Sequence, residues 1–140
     1  MVNPAINVRA AYFNIFQNGL SVPSFVEKVP LGIEPPESYV LISGQSKQEK
    51  RVCKQCPQNW TVNVTLDIIK ISEAGNSDRL HVDTIEQEIM NLILECNDFT
   101  IPGFKIGRTI LTNSLNLDLD IDTQDLDRQV LTIEHHLEEI

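Results

Sequence analysis

The residues best suited to chemistry form a row of aspartates in the stretch LTNSLNLDLDIDTQDLD, which begins at Leu111. Carboxylates at such spacing serve as calcium ligands in EF-hand loops or, when paired in a cleft, as acid and base catalysts. An EF-hand loop that starts at Asp118 needs Gly at its sixth position and Glu at its twelfth. The chain has Thr123 and Gln129 there, so the sequence disfavours a calcium loop.

The spacing of the aspartates fits a β-strand better than a metal site. Between residues 111 and 122 the odd positions are apolar apart from one asparagine, and the even positions are polar. Strict alternation predicts a strand with one buried face, on which Asp118, Asp120 and Asp122 share the solvent side. Two alternatives stay open: an incidental cation site, and a negatively charged wall that faces a partner or a lumen.

Catalysis is the weakest interpretation of these carboxylates. An exposed strand face offers neither the cleft nor the perturbed environment that a catalytic pair needs. The sequence also contains no phosphate loop and no recognisable nucleophile–base pair. We therefore predict that the protein is not an enzyme, and that it binds no cofactor and no metal ion.

A second chemical possibility is the pair Cys53 and Cys56, whose spacing matches half of a zinc site. The sequence has no second pair of this kind, Cys96 stands alone on an apolar helical pattern, and the three histidines are scattered. A redox pair would be expected at a helix N-terminus, but here a proline and then a strand pattern follow. The alternative to a structural role is therefore a small cytosolic binding or redox/zinc module that uses these two cysteines.

Basic residues are concentrated around the same cysteines. Lys47, Lys50, Arg51 and Lys54 are four of the eleven basic residues in a chain of net charge −9 and pI about 4.6. The stretch 45–59 has no strong period, which predicts a long loop between two strands, and such loops usually carry function or contacts. We predict that these four residues contact an acidic partner. The overall charge argues against nucleic-acid binding by phosphate neutralisation over the whole surface.

Two helices are predicted on one side of these elements. Asn3 is a suitable N-cap, Pro4 a suitable first residue, and Gly19 a left-handed stop. The residues between them are apolar on most sides, which predicts a helix buried on most sides, or one that also touches a neighbouring subunit. The second helix is predicted over 83–96, with Asp83 and Glu86 as a capping pair. Its apolar stripe consists of Val82, Ile85, Ile89, Leu92, Ile93 and Cys96.

The remaining patterns predict strands. A short edge strand is expected in SFVEKV, and a second in SYVLISG, closed by Gly44. WTVNVTLDIIKI predicts a strand whose even-numbered residues, from Trp60 to Ile68, face one way. A long strand over 109–122 and a return strand after the turn at 123–125 form a closing hairpin. His135 falls on the apolar face of the return strand, where we expect it to be packed and hydrogen-bonded.

These elements predict an α+β fold in one domain over residues 1–140. It has a single antiparallel sheet, with an N-terminal helix and one central helix packed on one face, and a long C-terminal β-hairpin. A strand over 109–122 would span roughly 45 Å at about 3.3 Å per residue, whereas typical strands have about three to ten residues. Such a hairpin overhangs its own core, so we predict an oligomer. No apolar run approaches the length of a membrane span, and the beginning of the sequence does not resemble a signal peptide, which predicts a cytosolic product.

The order of elements resembles that of the tail terminator or tail-completion proteins of tailed bacteriophages. The segments that carry the resemblance are PESYVLIS, WTVNVTLDIIKIS, TIEQEIMNLILE and DRQVLTIEHHLEE. The resemblance implies a virion structural protein that forms a ring, often a hexamer, in the neck or tail, where it joins head to tail. It implies assembly in the host cytoplasm, neighbouring neck or tail proteins as partners, and DNA only as cargo that passes through the lumen. It implies no catalytic residues.

Overall fold

A computed structural model describes residues 3–50, 58–76, 78–95, 99–121 and 123–140. These residues form two α-helices, one π-helical turn and six strands of a single sheet. The fold is α+β with a mostly antiparallel sheet, as the sequence predicts. Within these ranges, neither helix has the length and apolar character needed to cross a membrane.

Helix α1 spans Pro4–Gly19 and begins as predicted. The side chain of Asn3 accepts a hydrogen bond from the backbone N–H of Ala5 at 3.0 Å, and Pro4 occupies the first turn, where its missing N–H costs nothing. The left-handed stop is wrong, because the helix runs into an extended Leu20. A Cβ at position 19 would lie 2.7 Å from Cδ2 of Leu92, so a larger residue there would require the Leu92 side chain to move.

Helix α2 spans Arg79–Met90 and continues as a π-helical turn over Asn91–Glu95. The predicted capping pair of Asp83 and Glu86 is wrong, because the helix begins four residues earlier. Its N-cap is Asp78, whose carboxylate accepts a hydrogen bond from the backbone N–H of His81 at 3.2 Å. The predicted apolar stripe is confirmed at its buried positions: Val82, Ile85, Ile89 and Ile93.

The six strands lie in the spatial order β1-β2-β3-β6-β4, with β5 beside the start of β6. Their bounds are β1 Ser24–Val26, β2 Ser38–Lys50, β3 Asn59–Glu73, β4 Phe104–Asn116, β5 Leu119–Ile121 and β6 Gln124–Glu139. Strand β1 is the predicted edge strand, but it pairs parallel to β2, with Phe25 opposite Leu41. The other pairings are antiparallel.

Strand β2 is longer than predicted. It passes Gly44 through a register shift and continues to Lys50, where it still pairs with Asn59 of β3. The first part of the predicted loop, residues 45–50, is therefore strand, and Lys47 and Lys50 lie on it. Arg51, Cys53, Lys54 and Cys56 lie outside the described residues.

The hairpin differs from the structure that the alternation of apolar and polar residues predicts. Strand β4 ends at Asn116 and β5 begins at Leu119, so residues 117–118 break the predicted continuous strand. The predicted buried leucines are exposed, with 47%, 42% and 54% of their surface accessible at Leu115, Leu117 and Leu119. A register shift after Leu111 is the cause, because one extra residue in a strand turns every later side chain to the opposite face.

The hydrophobic core lies between the two helices and one face of the sheet, as predicted. The even-numbered residues of β3 from Trp60 to Ile68 are buried there, and so are Leu131, Ile133 and Leu137 of β6. Helix α1 contributes Val8, Ala11, Tyr12 and Phe16 to the same cluster. Neither helix covers the other side of the sheet.

Candidate interaction surfaces

The uncovered side of the sheet, called the open face below, consists of the strand residues that point away from the helices. Along β6 the odd-numbered residues from Asp127 to Leu137 are buried, and the even-numbered ones from Arg128 to His136 are half-buried. The strand register aligns one row across the face, in which Leu41, Asp67, Val130 and Leu115 are consecutive neighbours. The open face is thus a continuous surface over four strands.

One half of the open face is apolar, and it extends onto the overhanging hairpin. This apolar half consists of Phe25, Tyr39, Leu41, Ile69, Ile71, Leu115, Leu119, Leu126 and Val130. Leu117 continues it, because its backbone N–H donates to the Arg128 carbonyl at 2.9 Å. The rings of Phe25 and Tyr39 meet edge to face, 6.0 Å apart. Large exposed apolar patches often mark interaction sites, and the exposed members of this half are Leu115, Leu117 and Leu119.

A charged pair lies within the apolar half. Arg128 Nη2 donates to Asp67 Oδ2 at 3.0 Å, and Asp67 is only 6% exposed. Among the described residues, the second carboxylate oxygen of Asp67 and the Nε of Arg128 have no partner. The pKa of Tyr39 is raised, first by burial and then by the negative charge of Asp67. A buried acceptor without a donor costs free energy, so this pair gains less stability than a fully hydrogen-bonded one would.

The other half of the open face is polar and contains basic side chains at one end of the strands. Lys50 and Lys105 lie at the two ends of the row that crosses the sheet at Asn59, the first residue of β3. Arg108 lies next to His136 in the row that crosses at Thr61. His136 Nε2 lies 2.7 Å from a carboxylate oxygen of Glu134. Glu134 and Glu138 lie on the same half of the open face, so basic and acidic side chains are mixed there, whereas Arg51 and Lys54 lie outside the described residues.

Lys47 does not belong to that surface. It lies on the helix-covered side of β2, opposite Val62, and its Nζ donates to the Asn3 side chain at 2.5 Å. Because Asn3 caps α1, this lysine ties β2 to the start of the helix. The four predicted basic residues are therefore divided: Lys50 faces outwards, Lys47 has a structural partner, and two lie outside the described residues.

The opposite end of the strands is acidic. The carboxylates near this end belong to Glu34, Glu37, Glu73, Asp78, Asp83, Asp118 and Asp125. The fifteen residues of β3 separate the two ends by about 50 Å at about 3.3 Å per residue. The molecule therefore carries its charge asymmetrically along the strand direction.

Asp118 is part of the hairpin architecture. Its Oδ1 accepts a hydrogen bond from the Arg128 backbone N–H at 3.1 Å and lies 3.4 Å from Nη1 of Arg79. Arg79 also pairs with Asp83 at 3.3 Å, so the aspartate joins α2 to the break between β4 and β5. The predicted aspartate row is divided accordingly: Asp120 lies in β5 opposite Asp125, and Asp122 lies outside the described residues.

Helix α1 presents a second exposed apolar surface, on the side away from the sheet. This outward stripe consists of Ile6, Ala10, Phe13 and Gln17, which are spaced by four, three and four residues and so share one side of the helix. Ile6 is 72% exposed, so the prediction that this helix is buried on most sides is wrong. The outward stripe and the open face lie on opposite sides of the molecule.

His135 is packed and hydrogen-bonded, as predicted. Its Nε2 forms a hydrogen bond with the Tyr12 hydroxyl at 2.5 Å, and its Nδ1 lies 2.9 Å from the Thr109 hydroxyl. Burial, and secondarily the neighbouring His136, lower the pKa of His135 from 6.5 to about 4, while burial raises the pKa of Tyr12. A neutral histidine without solvent access holds α1, β4 and β6 together and is inaccessible to substrates.

A scan of protein-family models and a search of curated proteins find no match to this chain. In the described ranges, no three His, Cys, Asp or Glu side chains are grouped so that they could hold a metal ion. Sequence reasoning missed the open face and the pair of Asp67 with Arg128. One signal was present: an aspartate and an arginine occur within otherwise apolar or β-branched strand patterns.

Proposed function

We propose that this chain is a non-enzymatic structural protein that self-associates into a ring. The observation that carries the proposal is the presence of exposed apolar side chains on opposite sides of one molecule: Leu115, Leu117 and Leu119 in the apolar half of the open face, and the outward stripe of α1. Contacts between two different surfaces are heterologous, and they generate a closed ring when the rotation between copies closes. A monomer gains nothing from exposing both.

The setting we propose is the neck or tail of a tailed-bacteriophage virion, with assembly in the host cytoplasm. The support is the order of elements, which resembles tail terminator and tail-completion proteins, together with the charge asymmetry along the strands. In this setting Lys50, Arg51 and Lys54 contact an acidic neighbouring neck or tail protein. Complementary charges at such a joint set orientation and encounter rate more than affinity.

The acidic end has a proposed role in the same assembly. If Asp118, Asp120 and Asp122 face the lumen, their charge repels phosphate and lets DNA pass without binding tightly. Particles built with all three changed to Asn should assemble but release their DNA more slowly. Since Asp118 also accepts two hydrogen-bond contacts, Asp118→Asn alone is the matched control for a structural effect.

Self-association is tested by native mass spectrometry and negative-stain electron microscopy of the purified full chain. The expected result is one closed species of defined subunit number. Replacing Leu117 with Asp, at the hairpin side of the apolar half, should yield a folded monomer. A wild-type protein that stays monomeric at the highest attainable concentration would overturn the proposal.

The same preparation separates the ring from a zinc or redox module. Cys53→Ser combined with Cys56→Ser should leave both the fold and the assembly mass unchanged, and wild-type protein should carry no stoichiometric zinc. Zinc bound at one ion per chain, and lost with the fold in the double variant, would favour the module instead.

A further inference from the structure

We infer that the buried hydrogen-bonded chain of Tyr12, His135 and Thr109 is an acid-sensitive latch, and that acid detaches helix α1 from the sheet while the sheet itself stays folded. The latch joins three elements, because these residues belong to α1, β6 and β4. The inference is independent of the proposed ring, since it concerns contacts within one copy.

The latch lies where water has no access. His135 and Tyr12 are both fully buried, and the ring of Phe99 packs against both. A neutral imidazole has one donor nitrogen and one acceptor nitrogen, so it bonds one hydroxyl as donor and the other as acceptor. A second proton makes both nitrogens donors, and one hydroxyl must then direct its own proton to another acceptor. Protonation therefore costs the latch a hydrogen bond as well as the burial of a charge.

The charged groups on the covered side of the sheet do not compensate that proton. Helix α1 has no acidic residue and one cation, Arg9, and β4 has no acidic residue either. Lys47 lies in the same row of the sheet as His135, two strands away, and is itself a cation. Glu49, on the same side of β2, is hydrogen-bonded to Gln58 at 3.0 Å. Among the described residues of the elements packed on the latch, no carboxylate faces the imidazole.

The charged groups of the open face are separated from the latch by the sheet. Glu134 and His136 flank His135 in β6 and so point to the other side, with Arg108 of β4 beside His136. Burial, and secondarily His136, lower the pKa of His135 from 6.5 to about 4. When α1 detaches, the imidazole reaches water and its pKa rises again towards 6.5. Detachment is therefore favoured as the pH falls from 6.5 towards 4.

Helix α1 is the element that can leave. Strands β4 and β6 are joined by a ladder of backbone hydrogen bonds along most of β4, whereas α1 meets the sheet through side chains. The other side-chain hydrogen bonds that hold α1 are exposed: Asn7 donates to the Pro102 carbonyl at 3.0 Å, and Lys47 donates to Asn3. Helix α1 lies over β1 and β2, and α2 lies over β3 and β6. The central strands therefore keep a covering helix when α1 leaves.

The test is hydrogen–deuterium exchange of the full chain at pH 5 and pH 7, measured by mass spectrometry and corrected for the intrinsic effect of pH on exchange. Amides in the middle of α1, residues 8–16, should lose protection about 20-fold between pH 7 and pH 5, the factor that follows from pKa values of about 4 attached and 6.5 detached. They should be less protected than the amides of β3 at both pH values, because the opening is local. His135→Gln should abolish the pH dependence in α1.

Three outcomes would overturn the latch. Equal protection of α1 and β3 at each pH would mean that the helix leaves only when the whole chain unfolds. Protection of α1 that is independent of pH in wild-type protein would mean that His135 does not control the opening. The same pH dependence in wild-type protein and in His135→Gln would assign the effect to another group.

A second measurement needs no variant at His135. The chain contains two tyrosines, Tyr12 on α1 and Tyr39 on β2, so biosynthetic labelling with fluorotyrosine places one fluorine probe on the helix and one on the sheet. The Tyr39→Phe variant assigns the two fluorine NMR signals. As the pH is lowered from 7 to 4, the Tyr12 signal should move to the position of an exposed tyrosine while the Tyr39 signal keeps its folded position. A simultaneous change of both signals would contradict the release of α1 from a folded sheet.

Discussion

The two faces of the sheet are built from the same strands but are packed differently. On the helix-covered face, Val62, Leu66 and Ile68 of β3 are completely buried in a continuous apolar cluster. On the open face, the intervening positions hold Thr61, Asp67 and Ile69, which are buried by neighbouring strand side chains and not by a helix. One face therefore supplies most of the apolar burial that stabilises the monomer, and the other retains exposed apolar side chains at Leu115, Leu117 and Leu119.

The difference shows that alternation in a strand does not by itself say which face is the core. Both faces of β6 contain apolar residues, since Val130 is on the open side and Leu131 on the covered side. The two faces of the strand differ because a helix packs its apolar side chains against only one of them. Substitutions on the covered face should therefore change stability, and substitutions on the open face should change assembly.

The largest effect is expected for Leu66→Ala on the covered face. Leu66 is fully buried, so truncation removes apolar contacts and leaves a cavity, which costs about 3 to 4 kcal/mol in the free energy of unfolding. Urea denaturation followed by circular dichroism measures it. A loss below about 1 kcal/mol would show that the open face carries more of the stability than the packing indicates.

The next effect concerns His135 and pH. Its folded-state pKa of about 4 lies below the ordinary value of 6.5, so the unfolded chain binds the proton more readily between these values. Stability from this residue is fully present above about pH 6.5 and is lost as the pH falls towards 4. The full shift corresponds to about 3 kcal/mol at about 1.36 kcal/mol per pH unit.

The check is a comparison of wild-type protein with His135→Gln, which cannot titrate. Urea unfolding at several pH values between 4 and 7 measures the difference in stability between the two. That difference should shrink as the pH falls, because only wild-type protein loses the histidine contribution. A difference independent of pH would mean that the imidazole is more accessible to water than its burial indicates.

A smaller effect is expected on the open face at Arg128→Met. The substitution leaves the nearly buried carboxylate of Asp67 without its cation, but water can reach the pair because Arg128 is 38% exposed. The cost should be about 1 to 2 kcal/mol, below that of breaking a fully buried pair. Adding Asp67→Asn should recover part of the loss. Thermal unfolding of the two single variants and the double variant measures this coupling.

The smallest effect on the monomer is expected at Leu117→Ala. This side chain is 42% exposed, so its truncation should cost less than about 0.5 kcal/mol of monomer stability. If the open face is a contact between copies, the same change should weaken association roughly tenfold, equivalent to about 1.4 kcal/mol. Sedimentation at a series of concentrations measures it. Equal losses in stability and association would contradict the division between the two faces.

The sequence predicted the parts of the fold that depend on neighbouring residues. Asn3 and Pro4 determine the start of α1 locally, and the alternation in β3 and β6 identifies their core faces. The start of α2 was missed because Asp78 and Asp83 are both suitable caps, and only the packing of Val82 and its neighbours decides between them. Local patterns succeed where one residue and its near neighbours are sufficient.

The candidate surfaces depend on information that a local pattern lacks. Leu115 and Leu117 alternate correctly with polar residues, yet the extra residue near Thr112 turns them away from the core. Nothing in the residue types marks that insertion. The pair of Asp67 and Arg128 joins positions 61 residues apart, and it exists because of the register between β3 and β6. Such a register is a property of the assembled sheet.

The separation of charge along the strands makes the molecule an electric dipole as well as a polyanion. A negative end and a more positive end about 50 Å apart experience opposite forces in an external field. A molecule that approaches a charged surface is therefore oriented by that field before the two make contact. It should meet a polyanion with the end of Lys50 and Lys105 in front, and a cationic surface with the end of Glu73 and Asp125 in front. This alignment acts over distances comparable with the Debye length, about 8 Å at physiological salt, and extends to about 30 Å at low salt.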